Sequence, residues 1–217
     1  MERIAVLTGD LVRSTRKSKD RIDAAMRSLR EAADGMKGWG AAPSSTRLTR
    51  FRGDGWQIVL HHPWFALRAA VVLQASQVAL GMESRISIGI GPVETLGSAD
   101  LGDASGAAFQ LSGKGLDKIG DAWRLAIAGE TVVAQDEMIV DLLGERMSRW
   151  TAAQAEAAAL YLSNPARATT LHQIGTVLGI SPQAVNDRVR GAGCHAIASV
   201  LGQWEALKSR DSRDPAP

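Results

Sequence analysis

Arg47-Leu48-Thr49-Arg50-Phe51-Arg52-Gly53-Asp54-Gly55-Trp56-Gln57-Ile58-Val59-Leu60 is the stretch on which the fold of this chain turns. Arg47–Phe51 and Trp56–Leu60 are strand-like runs. The Asp-Gly pair between them signals a tight hairpin, because such turns need positive φ. On the N-terminal side, Ile4–Leu7 is a short apolar run ending in Thr8-Gly9-Asp10, which reads as a buried strand and a turn. Arg21–Met36 carries Ile22, Met26 and Leu29 at helical spacing, and Gly38–Ser45 is a loop. On the C-terminal side, Pro63–Leu80 is a largely apolar helix, and Arg85–Ile90 is a strand alternating around Ile86, Ile88 and Ile90. Gly102–Ile119 is a Gly-rich loop leading into a helix, Trp123–Ala128 a strand, and Thr131–Met147 a helix. Strands and helices thus alternate around one hairpin, which gives α+β or α/β. From Thr151 onward the strand signal vanishes, and Thr151–Leu162 opens an all-helical remainder. The expected organisation is a mixed domain over 1–148, a small all-α domain over 149–210, and a disordered tail over 211–217.

The helical part contains Leu171-His172-Gln173-Ile174-Gly175-Thr176-Val177-Leu178-Gly179-Ile180-Ser181-Pro182-Gln183-Ala184-Val185. Leu171, Ile174 and Leu178 share one helical face. Gly179 suits the left-handed residue that ends a helix, Ser181 is an N-cap, and Pro182 sits at the first helical position. Val185 and Val189 turn back onto the first helix. Ser181, Gln183, Asn186, Asp187, Arg188 and Arg190 are then left to face a partner. Gln, Asn and Arg suit base edges, and a helix N-terminus suits phosphate. The stretch resembles bacterial helix-turn-helix regulators over Thr169–Ala192, which implies DNA as a partner. A helical hairpin that packs or dimerises without touching DNA is the alternative. Five Lys or Arg against two Asp or Glu between Pro165 and Arg210 favour phosphate contact. Asp187 is expected to accept from a cytosine or to pair with Arg188 or Arg190.

The 217 residues are 45% hydrophobic and 22% charged, which fits a soluble globular chain with an ample core. A net charge of +2 is too mild to argue for nucleic acid unaided. One cysteine, Cys194, excludes an internal disulfide and fits a reducing compartment. Without a signal peptide or an apolar run of membrane length, the expectation is cytoplasmic, with no membrane partner. Gly113-Lys114-Gly115 is not a Walker loop. His61-His62 lacks a ligand set around it and reads as a surface strand-end pair.

A second constellation is Ala5-Val6-Leu7-Thr8-Gly9-Asp10-Leu11-Val12-Arg13-Ser14-Thr15 with Phe51-Arg52-Gly53-Asp54-Gly55-Trp56. Each aspartate ends a strand. If the strands are neighbours, two hard carboxylates converge beside a turn, an arrangement suited to Mg²⁺ and a triphosphate. A helix N-cap at Asp10 and a turn former at Asp54 are the plainer readings. Over about Ile4–Glu130 the chain resembles class III nucleotidyl cyclases, and more closely the SatD-like family of bacterial proteins. That resemblance rests on these two stretches, on Arg85-Ile86-Ser87-Ile88-Gly89-Ile90-Gly91-Pro92-Val93 and on Leu101-Gly102-Asp103-Ala104-Ser105-Gly106-Ala107-Ala108. It implies an α+β fold, a ferredoxin-like βαββαβ cyclase palm followed by the small all-α helix-turn-helix domain. It also implies a homodimer with nucleotide between subunits. Gly9, Asp10, Leu11, Val12, Arg13, Ser14, Arg50 and Asp54 would then hold nucleotide, and Asp10 and Asp54 would hold Mg²⁺ or Mn²⁺. Arg50 falls at the purine-reading Lys position. The catalytic Asn and Arg of cyclases fall on Gly106, which has no side chain to donate a hydrogen bond, and on Gln110, which has no charge to steady reacting phosphates, so no catalytic residue is expected. The resulting expectation is a DNA-binding transcription regulator that senses a nucleotide, such as a cyclic nucleotide or cyclic dinucleotide. An active cyclase with a helical regulatory domain and a non-catalytic structural protein are the alternatives.

Overall fold

β1 (Arg3–Leu11) runs through the middle of the sheet, with five of its nine residues in the two hydrophobic clusters on either side. It pairs antiparallel with β3 (Gly55–Leu60) and with β4 (Ser84–Thr95). β2 (Arg47–Phe51) closes the outer edge against β3. The order β2-β3-β1-β4, joined by α1 (Lys19–Met36) and α2 (Ala66–Ala79), is a βαββαβ unit. Two short additions extend it: β5 (Ser105–Gly106) against the end of β4, and β6 (Leu125–Gly129) parallel to the start of β4. This computed structural model describes residues 2–40, 46–51, 53–97, 101–120 and 124–211. Part of the expected loop over 38–45, Trp123 of the expected strand, and the tail from residue 212 therefore lie outside the described residues.

The elements follow the sequence reading, with shifts at their ends that have local causes. α1 starts at Lys19 because the Ser18 side chain accepts from the Arg21 N–H and caps it. Pro63–Phe65 is a short 3-10 turn ahead of α2, not its first turn. β4 runs on through Gly91 and Pro92, since Arg3 of β1 pairs beside Pro92. The helix expected from Thr131 begins at Ala134 as α4 (Ala134–Ser148), where the Val133 N–H donates to Asp136 at 3.0 Å. In the hairpin, Phe51 pairs with Gly55, and the positive φ of 81° belongs to Gly53, not to the Asp54-Gly55 pair.

Strand alternation divides the core in two. Leu7, Leu11, Trp56, Ile58, Leu60, Ile86 and Ile88 face α1 and α2. Ile4, Val6 and Val59 face the other way, with Ala108 of α3 (Ala107–Lys118). α3 lies so close to β4 that a Cβ on Gly89 would collide with the Ala108 carbonyl oxygen. Under α3 a buried polar chain runs from Gln57 Nε2 to Thr8 Oγ1 (2.9 Å), on to Ser112 Oγ (2.8 Å), and to the Phe109 carbonyl (3.0 Å).

The remaining helices are α5 (Ala152–Leu162), α6 (Leu171–Leu178), α7 (Pro182–Ala192) and α8 (Cys194–Asp211). The change of composition near residue 148 coincides with the end of α4, but the apolar core continues across it. Ala155, Ala158, Leu162, Ile174, Val189, Leu201 and Trp204 belong to the same buried cluster as Leu67, Val71 and Leu73 of α2. Polar clamps reinforce the seam. Arg68 of α2 makes a bidentate ion pair with Glu205 of α8, at 2.6 and 3.0 Å, and donates to the Leu162 carbonyl. Asp136 of α4 accepts from Trp204 Nε1 at 2.8 Å and from Lys208 Nζ at 2.6 Å. Arg146 and Trp150 donate to the carbonyls of Gly191 and Ala192, which close α7. A cation at a helix C-terminus is favoured by the dipole. Ile197, Leu201 and Trp204 of α8 are thus buried within the chain. Cys194 is buried too, and burial pushes its thiol up to about 12, so it acts as a core contact. Among the described residues no helix is long and apolar enough to cross a membrane.

Candidate functional site

At the C-terminal end of β1 a cleft of about 340 Å³ is lined by Leu11, Val12, Arg13, Arg85 and Arg124. Asp10 sits at its edge on the α3 face, directly across the ladder from Arg85. Arg85 Nε donates to Asp10 Oδ1 at 2.9 Å, and Nη2 donates to Oδ2, so the guanidinium grips both carboxylate oxygens. Its Nη1 donates to the Ile119 carbonyl at the end of α3, 3.2 Å away. Arg124 donates to Glu83 at 2.9 Å. Arg13 is exposed and left-handed, with φ 55°. The Val12 N–H bonded to the Glu83 carbonyl and the Arg16 N–H bonded to the Arg13 carbonyl hold that bend. Ser14 opens the 3-10 turn that follows.

The other residues expected at a nucleotide site are only partly brought together. The β1–β3 register, ending at Gly9 beside Trp56, brings the hairpin tip carrying Asp54 alongside the end of β1. Arg50 pairs with Trp56, which faces α1, so Arg50 lies on the opposite side of the sheet from Asp10. There it donates to Asp23 of α1 at 2.9 Å and to the Gly53 carbonyl at 2.6 Å. The hydrogen bond from Arg50 holds the Asp23 carboxyl below its ordinary value of 3.8. Gly9 is small because the Trp56 indole occupies its flank, and a Cβ there would run into the ring.

In this arrangement both Asp10 oxygens accept from Arg85, which supplies a positive charge beside them. Among the described residues no three His, Cys, Asp or Glu side chains gather into a metal site. Gly106 has φ 139°, and a Cβ would lie 2.7 Å from the Pro92 carbonyl oxygen. No side chain fits there, whatever its chemistry. Gln110 is exposed on α3. His61 pairs with Glu2 at 3.0 Å and His62 stacks on Trp64, as a strand-end pair. Desolvation by partial burial lowers the His62 pKa, and the neighbouring His61 adds to that lowering.

Arg85 and Arg124 line the cleft and are not singled out by the sequence reading. The available signal for Arg85 is a charge at the start of an otherwise apolar strand. For Arg124 there is none, because its place in the cleft comes from the parallel pairing of β6 with β4.

The second candidate surface is the α6–α7 pair. Thr170 and Gln173 form a capping box on α6, and Gly179 ends that helix with φ 66°. The Ser181 hydroxyl accepts from the Ala184 N–H at 3.2 Å and caps α7. Gly175 leaves room for the turn, as a Cβ there would meet the Ile180 carbonyl oxygen at 2.7 Å. Val185 and Val189 are buried. Gln183, Asp187 and Arg190 are exposed, and Asn186 is half-buried. Two expectations change. Arg188 reaches back to Glu156 of α5 at 3.0 Å, and Asp187 accepts from Gln183 at 3.3 Å instead of pairing with an arginine.

No protein-family model and no curated protein matches this chain. Among solved structures, the crystal structure of the guanylyl cyclase Cya2 shares 17% identity at a TM-score of 0.40. The match covers 58% of this chain and 74% of the other, a distant structural similarity to a cyclase.

Proposed function

We propose that this chain is a DNA-binding transcription regulator of the SatD-like kind its sequence resembles, with a nucleotide sensed at the β1-end cleft. The observation that carries the DNA reading is the capped turn between α6 and α7. It buries Val185 and Val189 while leaving Gln183 and Arg190 exposed on one helix. Gln183 and Arg190 supply base-edge and phosphate donors. Ser181 serves as the cap, and Arg188 contributes only if it leaves Glu156. Sensing is assigned to the cleft because its volume suits a small ligand and arginines line it. No catalysis is assigned to it: Gly106 has no room for a donor, and both Asp10 oxygens are engaged. A homodimer would set the spacing between two recognition helices.

Fluorescence anisotropy on DNA from upstream of the protein's own coding region, run against a salt series, tests this function. The expected result is sequence-preferring binding that weakens steeply with salt. Equal affinity for specific and scrambled DNA at every salt concentration, with and without nucleotides, would overturn it.

A further inference from the structure

We infer that the groove between α1, α2 and α5 binds a small organic cation with an apolar body, whose charge meets Glu31 and competes with Arg188 for Glu156. None of the described residues that line this groove lines the β1-end cleft, so the site stands apart from the nucleotide and DNA readings. The groove encloses about 400 Å³, within the range of small-ligand sites. α1 and α5 both pack on α2, and each of the three helices turns one face to the space. Ala32 and Gly35 come from α1, Val72 and Ala79 from α2, and Ala159 and Leu160 from α5. Small side chains at four of these six positions keep the groove open. Beside Gly35 a Cβ would meet no atom within 4 Å. Trp39, just past the end of α1, donates its indole N–H to the Ser163 carbonyl at the end of α5, 2.7 Å away. That bond ties the two helix ends together and fixes the ring that lines the groove there. Leu80, at the other end of the α2 face, is 41% exposed. An apolar body in the groove removes such surface from water, and that burial is favourable.

Charge decides which apolar molecule fits. Among the described lining residues the charged ones are Glu31 on α1 and Glu156 on α5, and none is Lys or Arg. The Glu31 carboxylate is exposed and has no ion-pair partner among the described residues. Glu156 accepts from Arg188 of α7 at 3.0 Å, with its own side chain 50% exposed. An exposed pair of this kind contributes little and exchanges readily. An anion in the groove would be repelled by both carboxylates. A neutral molecule would cover Glu31 without giving it a partner, which is unfavourable. An ammonium or amidinium group supplies charge-assisted N–H donors to the same carboxylates while its apolar body fills the groove. Glu156 is thus shared between the groove and α7, and a bound cation draws it away from Arg188.

Amide NMR titration of the full chain tests this with two sets of probes, each of one body in three charge states. One set is adamantylammonium, adamantanol and adamantanecarboxylate; the other is naphthylmethylammonium, naphthylmethanol and naphthoate. The expected result is that at least one ammonium compound moves the amides of Ala32, Ala79 and Leu160 together with the Arg188 side-chain N–H. Its neutral analogue should bind about tenfold more weakly, and its carboxylate analogue should not bind. Glu31→Gln, at an exposed position, should weaken the ammonium compound by about tenfold and leave the neutral one unchanged. Arg188→Ala, which removes the competitor for Glu156, should tighten it by about two- to threefold. Equal binding of the neutral and charged compounds, or an unchanged Kd in Glu31→Gln, would overturn the cation assignment. An Arg188 signal that stays still while the groove amides move would overturn the exchange at Glu156. Shifts of the same amides with protein concentration alone would give the groove to a second copy of the chain, and silence from both ammonium compounds would overturn the site.

Discussion

Asp10 and Asp54 stand in plain view in the sequence as two carboxylates at strand ends, but what Asp10 touches does not. Its partner Arg85 is 75 residues away and meets it only through the β1–β4 register. A local pattern can place a residue on a strand; it cannot say which residue stands opposite. Arg50 shows the same gap, since the face it occupies depends on pairing with Trp56. Gly106 is more than a missing donor. With φ 139° and the Pro92 carbonyl against it, Gly106→Asn should destabilise the chain by about 3 kcal/mol or more without creating cyclase activity. Urea denaturation followed by circular dichroism, with a product assay alongside, checks both halves. At Asp23 the Arg50 hydrogen bond lowers the folded-state pKa. A lowered carboxyl pKa adds stability above the unfolded value, and this is lost as pH falls through the folded one. Arg50→Ala should therefore return the Asp23 titration to the ordinary carboxylate range, as read by NMR.

Helices α6 and α7 are the most legible elements because every signal is local: a capping box, a left-handed glycine, a Ser cap and a proline within about a dozen residues. Strand β6 is harder, since its parallel partner β4 lies about 40 residues back and no turn motif announces the pairing. β5 has two residues and exists only because β4 continues past Pro92 to receive it. Ser181→Ala removes the α7 cap and should lower stability by about 1 kcal/mol, or about 2–4 °C in Tm, by calorimetry. Arg190→Ala should weaken binding to all DNA sequences alike and flatten the salt dependence, whereas Gln183→Ala should change which sequence is preferred. Paired anisotropy measurements separate the two.

Across the whole molecule, the mixed and helical halves share one core and are cross-linked by buried charges. Arg68 and Glu205 are 7% and 12% exposed at their side chains, so removing one strands the other. Arg68→Met alone should cost about 3–5 kcal/mol, whereas Arg68→Met with Glu205→Leu should recover most of it. Denaturation midpoints of the two variants decide this. The division at residue 148 is legible as a change from alternating to purely helical sequence. The continuity of packing across it is not, because alanine-rich Ala152–Leu162 gives no hint of which helix it will lie against.

The clasp of Arg146 and Trp150 on the last carbonyls of α7 has a bearing on modular exchange. The reading head of a regulator can be transplanted when only a linker joins it to its sensor. Here Arg146, one of the donors that finish the α7 helix, belongs to the other half of the chain. A hybrid grafting 149–210 onto a different N-terminal domain would keep the Trp150 bond to Ala192 but lose both Arg146 bonds, and the α5 face that packs on α2 would be bare. Under the proposed function, specificity is better altered one exposed side chain at a time than by swapping the helical half.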